Sequence, residues 1–414
     1  MSSDPVYSYS TADKFGFAII TLISIVVLIF SIFINKDSIP DIPVVLQIII
    51  DLAILIAIFE ISSIHHEAGH AIAGALAGIK ISKIQIGPDN GLIKFQLAGV
   101  EISYGPSGIS GVTILEMIPR QFFRSRFFIC TLGGPAFTMA AMLAGASFLN
   151  TKYDVDLTSI SPSPVIFILF TNFLIILITM VPYSQKDGSP SSNDIRKLVE
   201  IPFMTDEQIE YLQETLEISR GNKVLCDYGE EAAEQIFSQS LLFFPRSKRL
   251  MFNLASCMLD QGKCNEALSV LDNAIAVESQ PEMDGPIYLQ MALVHFTMDL
   301  DKSMPRLVEC SDKAYEILPE DHYAIFFKSA ALILTGKADE GIVLLESIVD
   351  HKDNSSKHYI YQAFLAYGYH LHGLTKKALK IVEQMASLPK PDSMPEKAIL
   401  DNLLKRSGNF GIPS

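Results

Sequence analysis

From Phe15 to Ile34 the chain passes through 20 positions without a charged residue. At 1.5 Å per residue that run is long enough to cross a hydrocarbon core of about 30 Å. A 414-residue chain that is 49% hydrophobic and 19% charged has more apolar surface than an ordinary water-facing fold needs. The run exceeds the apolar part of a signal peptide, and Asp4 and Asp13 against Lys14 give it no positive N-terminal bias, so it reads as a retained span. Three further runs follow, and spans at about 15–35, 42–79, 127–150 and 162–183 return the chain to its starting side. The second run contains Asp51, Glu60, His65, His66, Glu67 and His70. Ionisable groups at membrane depth are costly, which makes function their default explanation.

Basic residues set the sidedness. Lys80, Lys83, Lys94, Arg120, Arg124 and Arg126 lie between spans two and three, whereas Lys152 after span three is set against Asp154 and Asp156. The basic segment is expected to face the cytoplasm, together with the N-terminus and everything beyond span four. Residues 1–200 hold 12 Lys/Arg against 15 Asp/Glu, so 20 against 31 remain for residues 201–414, a net charge of −11. That acidity excludes a surface built to neutralise phosphates, and hence nucleic-acid binding. The five cysteines show no C-x-x-C spacing, and reduced thiols facing a cytosol fit them best.

His66-Glu67-Ala68-Gly69-His70 is an H-E-x-x-H pattern. Histidines at i and i+4 share one helical face and offer two imidazole nitrogens to one Zn²⁺, while the adjacent Glu67 is placed to take a proton from a metal-bound water. His65 faces another side of the helix and reads as a supporting or interfacial group.

The stretch HHEAGHAIAGALAGIKISKIQIG resembles the site-2 proteases, intramembrane zinc metallopeptidases that cleave membrane-spanning substrates; the likeness runs from about Ile61 to Leu198. Gly134-Pro135 looks like the family's G-P-x-x-N element, with Thr138 in place of the Asn. The resemblance implies a third zinc ligand from a carboxylate after span four, and two are open. Asp187 has the family's Pro-x4-Asp-Gly spacing from Pro182, with Thr179 where Asn is usual. Asp194 lacks the Gly but opens an apolar-periodic helix with Ile195, Leu198 and Val199, and is preferred. A gluzincin-type site using Glu101 or Glu116 fits less well, because both lie in strand or amphipathic context.

Between spans two and three, Ile79 to Ile86, Ile93 to Leu97 and Val100 to Tyr104 alternate as short strands separated by turn residues. The resemblance implies that such strands lie beside the active site and pair with an unwound substrate.

Beyond Ile201 the pattern becomes amphipathic and repeats. Gly221, Ala233, Phe237 and Ser240 recur 34 positions later as Ala255, Ala267, Leu271 and Ala274, and Gly336-x4-Gly341 and Gly373-x4-Ala378 continue the series. This is similar to tetratricopeptide repeats, helix-turn-helix units that stack into a concave groove. Four or five units are expected, with the stretch from Met291 to Pro305 departing from the pattern. The expected fold is therefore an α-helical membrane protein: a four-span metalloprotease core with a small β insertion over residues 1–200, then a soluble all-α repeat solenoid over residues 201–414. The expected function is zinc-dependent cleavage of membrane-protein substrates within the lipid bilayer. A protein or peptide partner would sit on the repeats. The alternative is a catalytically silent membrane scaffold whose repeats do the binding.

Overall fold

The computed structural model describes residues 43–87, 93–105, 111–153, 172, 173, 175, 194–349, 356–391 and 393–407. The chain divides into two compact units, Met1–Leu216 and Glu217–Ser414. The sequence put this boundary after residue 200, where the composition turns amphipathic. The contact division includes the first part of the next helix because Ile209, Leu212 and Leu216 pack against the cluster of Ile79, Ile81, Ile118, Phe123 and Cys130.

In the first unit, helix α1 (Val44–Leu76, 33 residues) follows Pro43 and spans about 50 Å. Its first two-thirds is almost wholly Val, Ile, Leu and Ala, broken only by a few polar positions. It ends where Gly78 turns left-handed (φ +75°), with the Ile79 amide donating to the Gly74 carbonyl at 2.8 Å, a helix stop that glycine adopts without a Cβ penalty. Helix α2 (Phe123–Tyr153) packs along α1. Gly69 and Gly133 let the backbones meet: a Cβ on Gly69 would lie 2.5 Å from the Gly133 carbonyl oxygen, and one on Gly133 would lie 2.3 Å from that of Gly69.

Four strands separate the helices: β1 (Lys80–Ile86), β2 (Ile93–Leu97), β3 (Val100–Tyr104) and β4 (Gly111–Met117), in the order β2-β3-β1-β4. β2 and β3 form a tight hairpin through Ala98 and Gly99, both at positive φ, as a two-residue turn between right-twisted strands requires. β3 lies parallel to β1, and β4 lies antiparallel to it. The sequence pattern marks the first three strands but not β4, which with β2 forms the edges of the sheet.

Of the expected spans, 15–35 lies outside the described residues. The span at 42–79 corresponds to α1 and that at 127–150 falls within α2, while only Asn172, Phe173 and Ile175 of the span at 162–183 are described. Among the described residues one helical segment, Phe123–Ala144, is long and apolar enough by length and composition to cross a membrane. Apolar side chains project outward along both helices, among them Ile49, Ile56, Ile61 and Ile72 on α1 and Ile129, Met139 and Leu143 on α2.

After the short α3 (Asp194–Glu200), α4 (Asp206–Tyr228) leads out of the first unit. The second unit is a run of helix hairpins. The end of α4 pairs with α5 (Glu230–Leu241). Then follow α6 (Lys248–Asp260) with α7 (Cys264–Ala276), α8 (Asp284–Thr297) with α9 (Leu300–Ile317), α10 (His322–Leu334) with α11 (Ala338–Glu346), and α12 (Ser356–Leu371) with α13 (Thr375–Met385); α14 (Met394–Ser407) closes the described chain. Inside three hairpins the turn is a left-handed glycine, Gly262, Gly336 and Gly373. Each stands five residues before the small residue, Ala267, Gly341 or Ala378, that is buried between paired helices. Ser247 and Asp321 cap the starts of α6 and α10. The irregular Met291 to Pro305 stretch is a lengthened unit, not a broken one, because α9 runs for 18 residues and takes Pro305 near its start. Phe296, Phe326, Phe327 and Phe364 meet in the core of the stack. All five cysteines are free, and burial pushes the Cys257 and Cys310 thiols up to about 11, which leaves them protonated and unreactive.

Gly69→Ala should lower unfolding stability by about 1–3 kcal/mol, because the new methyl meets fixed backbone. Ile72→Ala on the outer face of α1 should stay within about 0.5 kcal/mol. Thermal unfolding of both variants in the same detergent checks the difference.

Candidate functional site

His66 and His70 lie one turn apart on α1, on the face turned toward α2, and are 4% and 7% exposed. Each ring is held through Nδ1 by a group of α2. His70 Nδ1 lies 2.9 Å from the Cys130 carbonyl oxygen. A carbonyl can only accept, so Nδ1 carries the proton and does not also accept from the Gly134 amide, 3.3 Å away. His66 Nδ1 lies 2.8 Å from Thr138 Oγ1. The Thr138 hydroxyl gives its proton to the Gly134 carbonyl at 3.0 Å, so it accepts from His66. Thr138, standing where the related pattern has Asn, thus supplies a polar contact of its own.

With both Nδ1 atoms protonated, both Nε2 atoms present lone pairs, and these point at each other across 3.3 Å. Asp194, the first residue of α3, brings Oδ2 to 3.0 Å from each of them. Three acceptor atoms facing one another at this range repel unless a cation or an added proton lies between them. Ligand atoms about 2.0–2.1 Å from a tetrahedral zinc stand roughly 3.3 Å apart, so the donor set fits such an ion. Gly134 keeps the space beside it open, since a Cβ there would lie 2.3 Å from His70 Nε2 and 2.7 Å from His66 Nε2. Asp187 lies outside the described residues.

Glu67 is 7% exposed and belongs to the same cluster, with its carboxylate and the two imidazoles offering atoms within 4.8 Å of one another. It points toward the sheet. The Thr113 hydroxyl on β4 contacts Glu67 Oε2 at 2.8 Å and the Glu67 carbonyl at 3.1 Å, while the bare backbone of Gly111 makes room for the carboxylate. Sequence reasoning does not find Thr113 and Gly111. Val112-Thr113-Ile114-Leu115-Glu116 is rich in β-branched residues without a clean apolar-polar alternation, and nothing in it points to Glu67. His65 turns away and bonds the Phe137 carbonyl through Nε2 at 3.1 Å. Glu101 and Glu116 pair with Lys83 and Lys80 on neighbouring strands and take no part in the cluster.

No protein-family model matches the chain, and no curated protein is similar to it. Among solved structures, the MamA protein is 15% identical, covering 42% of this chain and 89% of its own, with a TM-score of 0.34. The tetratricopeptide-like repeats of a putative kinesin light chain from Podospora anserina are also 15% identical, covering 41% and 92%, with a TM-score of 0.34. A tetratricopeptide-repeat protein of Thermus thermophilus is 16% identical, covering 46% and 99%, again with a TM-score of 0.34. The repeat architecture of the second unit is read from its own helix pairs and their spacing.

Thr138→Val should leave the buried His66 Nδ1–H without an acceptor and lower stability by about 1–3 kcal/mol. Thr138→Ser, which restores the hydroxyl, should recover most of that loss. Unfolding of the three proteins side by side is the measurement.

Proposed function

We propose that this chain is an intramembrane zinc endopeptidase, with His66, His70 and Asp194 as metal ligands and Glu67 as general base. The observation that carries the reading is the convergence of two imidazole lone pairs and one carboxylate oxygen at 3.0–3.3 Å, with each Nδ1 already committed to α2. Bound there, zinc would polarise a scissile carbonyl and lower the pKa of a coordinated water. Glu67 is the group to receive that water's proton, and the Thr113 hydroxyl holds one of its oxygens so that the other is aimed. Thr138 and the Cys130 carbonyl fix the ring orientations, as partners of metal-bound histidines commonly do.

Among the described residues β4 is one of the two outer strands of the sheet, the one beside Glu67, with Val112, Ile114 and Met117 exposed along it. An extended substrate segment has a strand edge to add to, beside Glu67. The outward apolar faces of α1 and α2 support burial in a bilayer, and the basic residues between the helices support a cytoplasmic position for that end. The repeat array is the part for binding a protein or peptide partner in the cytoplasm. In the second reading the chain is a catalytically silent membrane scaffold, favoured by the repeat array, whose helix pairs bury a core of their own whether or not the histidine site works.

Metal analysis separates the two. Wild type should carry about one zinc per chain, Asp194→Ala should lose it, and Asp187→Ala should keep it; equal retention by both variants would support the scaffold. Glu67→Gln should abolish cleavage of a helix-destabilised membrane peptide while leaving zinc content unchanged, since only the proton acceptor is lost. Loss of zinc in that variant would remove Glu67 from the role of base.

A further inference from the structure

The second unit contains a helix that does not follow the repeat. α14 packs across α8 and α12 and reaches α6, which are first helices of three different hairpins. Its contacts resemble those of a bound peptide. Ile399, Leu400 and Leu403 are 3%, 7% and 0% exposed, an apolar stripe at i, i+1 and i+4, while Lys397, Asp401 and Lys405 face outward. The Asn402 amide donates to the carbonyls of Phe296 and Met298 at 2.8 and 3.0 Å, two groups at the end of α8 where a helix leaves carbonyls unpaired. Arg406 pairs with Asp301 at the start of α9. Pro389 and Pro391 stand in the connection from α13, so α14 is not a continuation of that helix and can leave without unwinding it.

The helix leaves part of the surface uncovered. A cavity of about 370 Å³ lies beside its N-terminal half, lined by Phe252, Leu289, Leu293, Tyr323, Phe326 and Tyr361 from all four of the helices α6, α8, α10 and α12. Pro395, Glu396 and Ile399 of α14 border this cavity without filling it.

We propose that the inner face of the array is the binding groove for an amphipathic helix of a partner protein, and that α14 is its built-in competitor. The partner helix carries Ile or Leu in the pattern of Ile399, Leu400 and Leu403, an amide side chain at the position of Asn402, and an aromatic residue one turn before the first of these to fill the cavity. A basic residue near its end takes the place of Arg406 against Asp301. The aromatic group gives the partner a contact that α14 lacks, which it needs because a tethered helix competes at an effective concentration on the order of millimolar. This rests on the reading of the array as an interaction module and makes no use of the histidine site.

The test uses the full chain in detergent and a fluorescent peptide with the sequence of residues 393–407 carrying Glu396→Trp. The peptide should bind Asn402→Ala and Leu403→Asp chains at least about tenfold more tightly than wild type, since the tethered competitor is weakened. A peptide that also carries Ile399→Ala and Leu403→Ala should not bind. In the wild-type chain, saturating peptide should speed hydrogen exchange of the amides of residues 394–407, a readout that does not depend on either variant folding. Equal affinity for all chains with unchanged exchange in α14 would overturn the competition, and absence of binding to an Asn402→Ala chain that melts like wild type would overturn the groove. Zinc content and turnover of the same samples report separately on the peptidase: a metal-free, inert chain that binds the peptide keeps this inference and loses that function, and a zinc-loaded, active chain that binds none does the reverse.

Discussion

The contact of backbone on backbone where Gly69 meets Gly133 governs the geometry of the first unit. Two helices with side chains between them would stand 8–10 Å apart or more, and an imidazole on one would have to reach across that gap for a backbone partner on the other. Here the approach is close enough for His70 to find the Cys130 carbonyl at 2.9 Å and His66 to find Thr138 at 2.8 Å. Those two bonds settle which ring nitrogen carries the proton, and the remaining lone pairs are then forced to converge. Gly134, the next residue, finishes the arrangement by placing nothing between them. The small residues that look like ordinary helix packing are therefore what orients the chemistry.

The sheet supplies the other half. Glu67 is on α1 but takes its direction from β4, where the Thr113 hydroxyl contacts its carboxylate and Gly111 leaves room for it. A carboxylate that accepts one hydrogen bond from a fixed hydroxyl loses rotational freedom yet keeps acceptor capacity on its other oxygen. That is the state a proton acceptor needs. The same strand lies at the edge of the described sheet, so the element that orients Glu67 is also the one that an extended chain could lie along.

Much of this is legible in the sequence, and the limits are instructive. H-E-x-x-H places His66, Glu67 and His70 because a helical spacing is a local property. The 34-residue period finds the array for the same reason, each repeat being one local unit stacked on the next. Asp194 can only be narrowed to a pair, since its approach to His66 spans 128 positions and no periodicity encodes that. β4 escapes notice because Val112-Thr113-Ile114-Leu115-Glu116 does not alternate cleanly between apolar and polar, and Thr113 looks like any strand threonine until the fold brings Glu67 to it. A change of composition marks where amphipathic helix begins, whereas the division into compact units follows which apolar residues still pack backward. Ile209, Leu212 and Leu216 do.

The acidity of the second half and the character of its inner surface are separate properties. The net charge of −11 over residues 201–414 suggests a basic or neutral partner, but the side chains around the inner cavity are mainly aliphatic and aromatic. Charge at the edge of such a surface steers approach and favours one end of a ligand over the other, while apolar complementarity sets how long it stays. α14 has both features in one segment: its apolar stripe is buried, and its basic end, Lys405-Arg406, lies toward Asp301. A ligand that were merely basic would find little to hold at the centre of this face, and one that were merely apolar would have no preferred direction along it. For the proposed partner helix, then, the array's charge would set the orientation and the apolar face the grip.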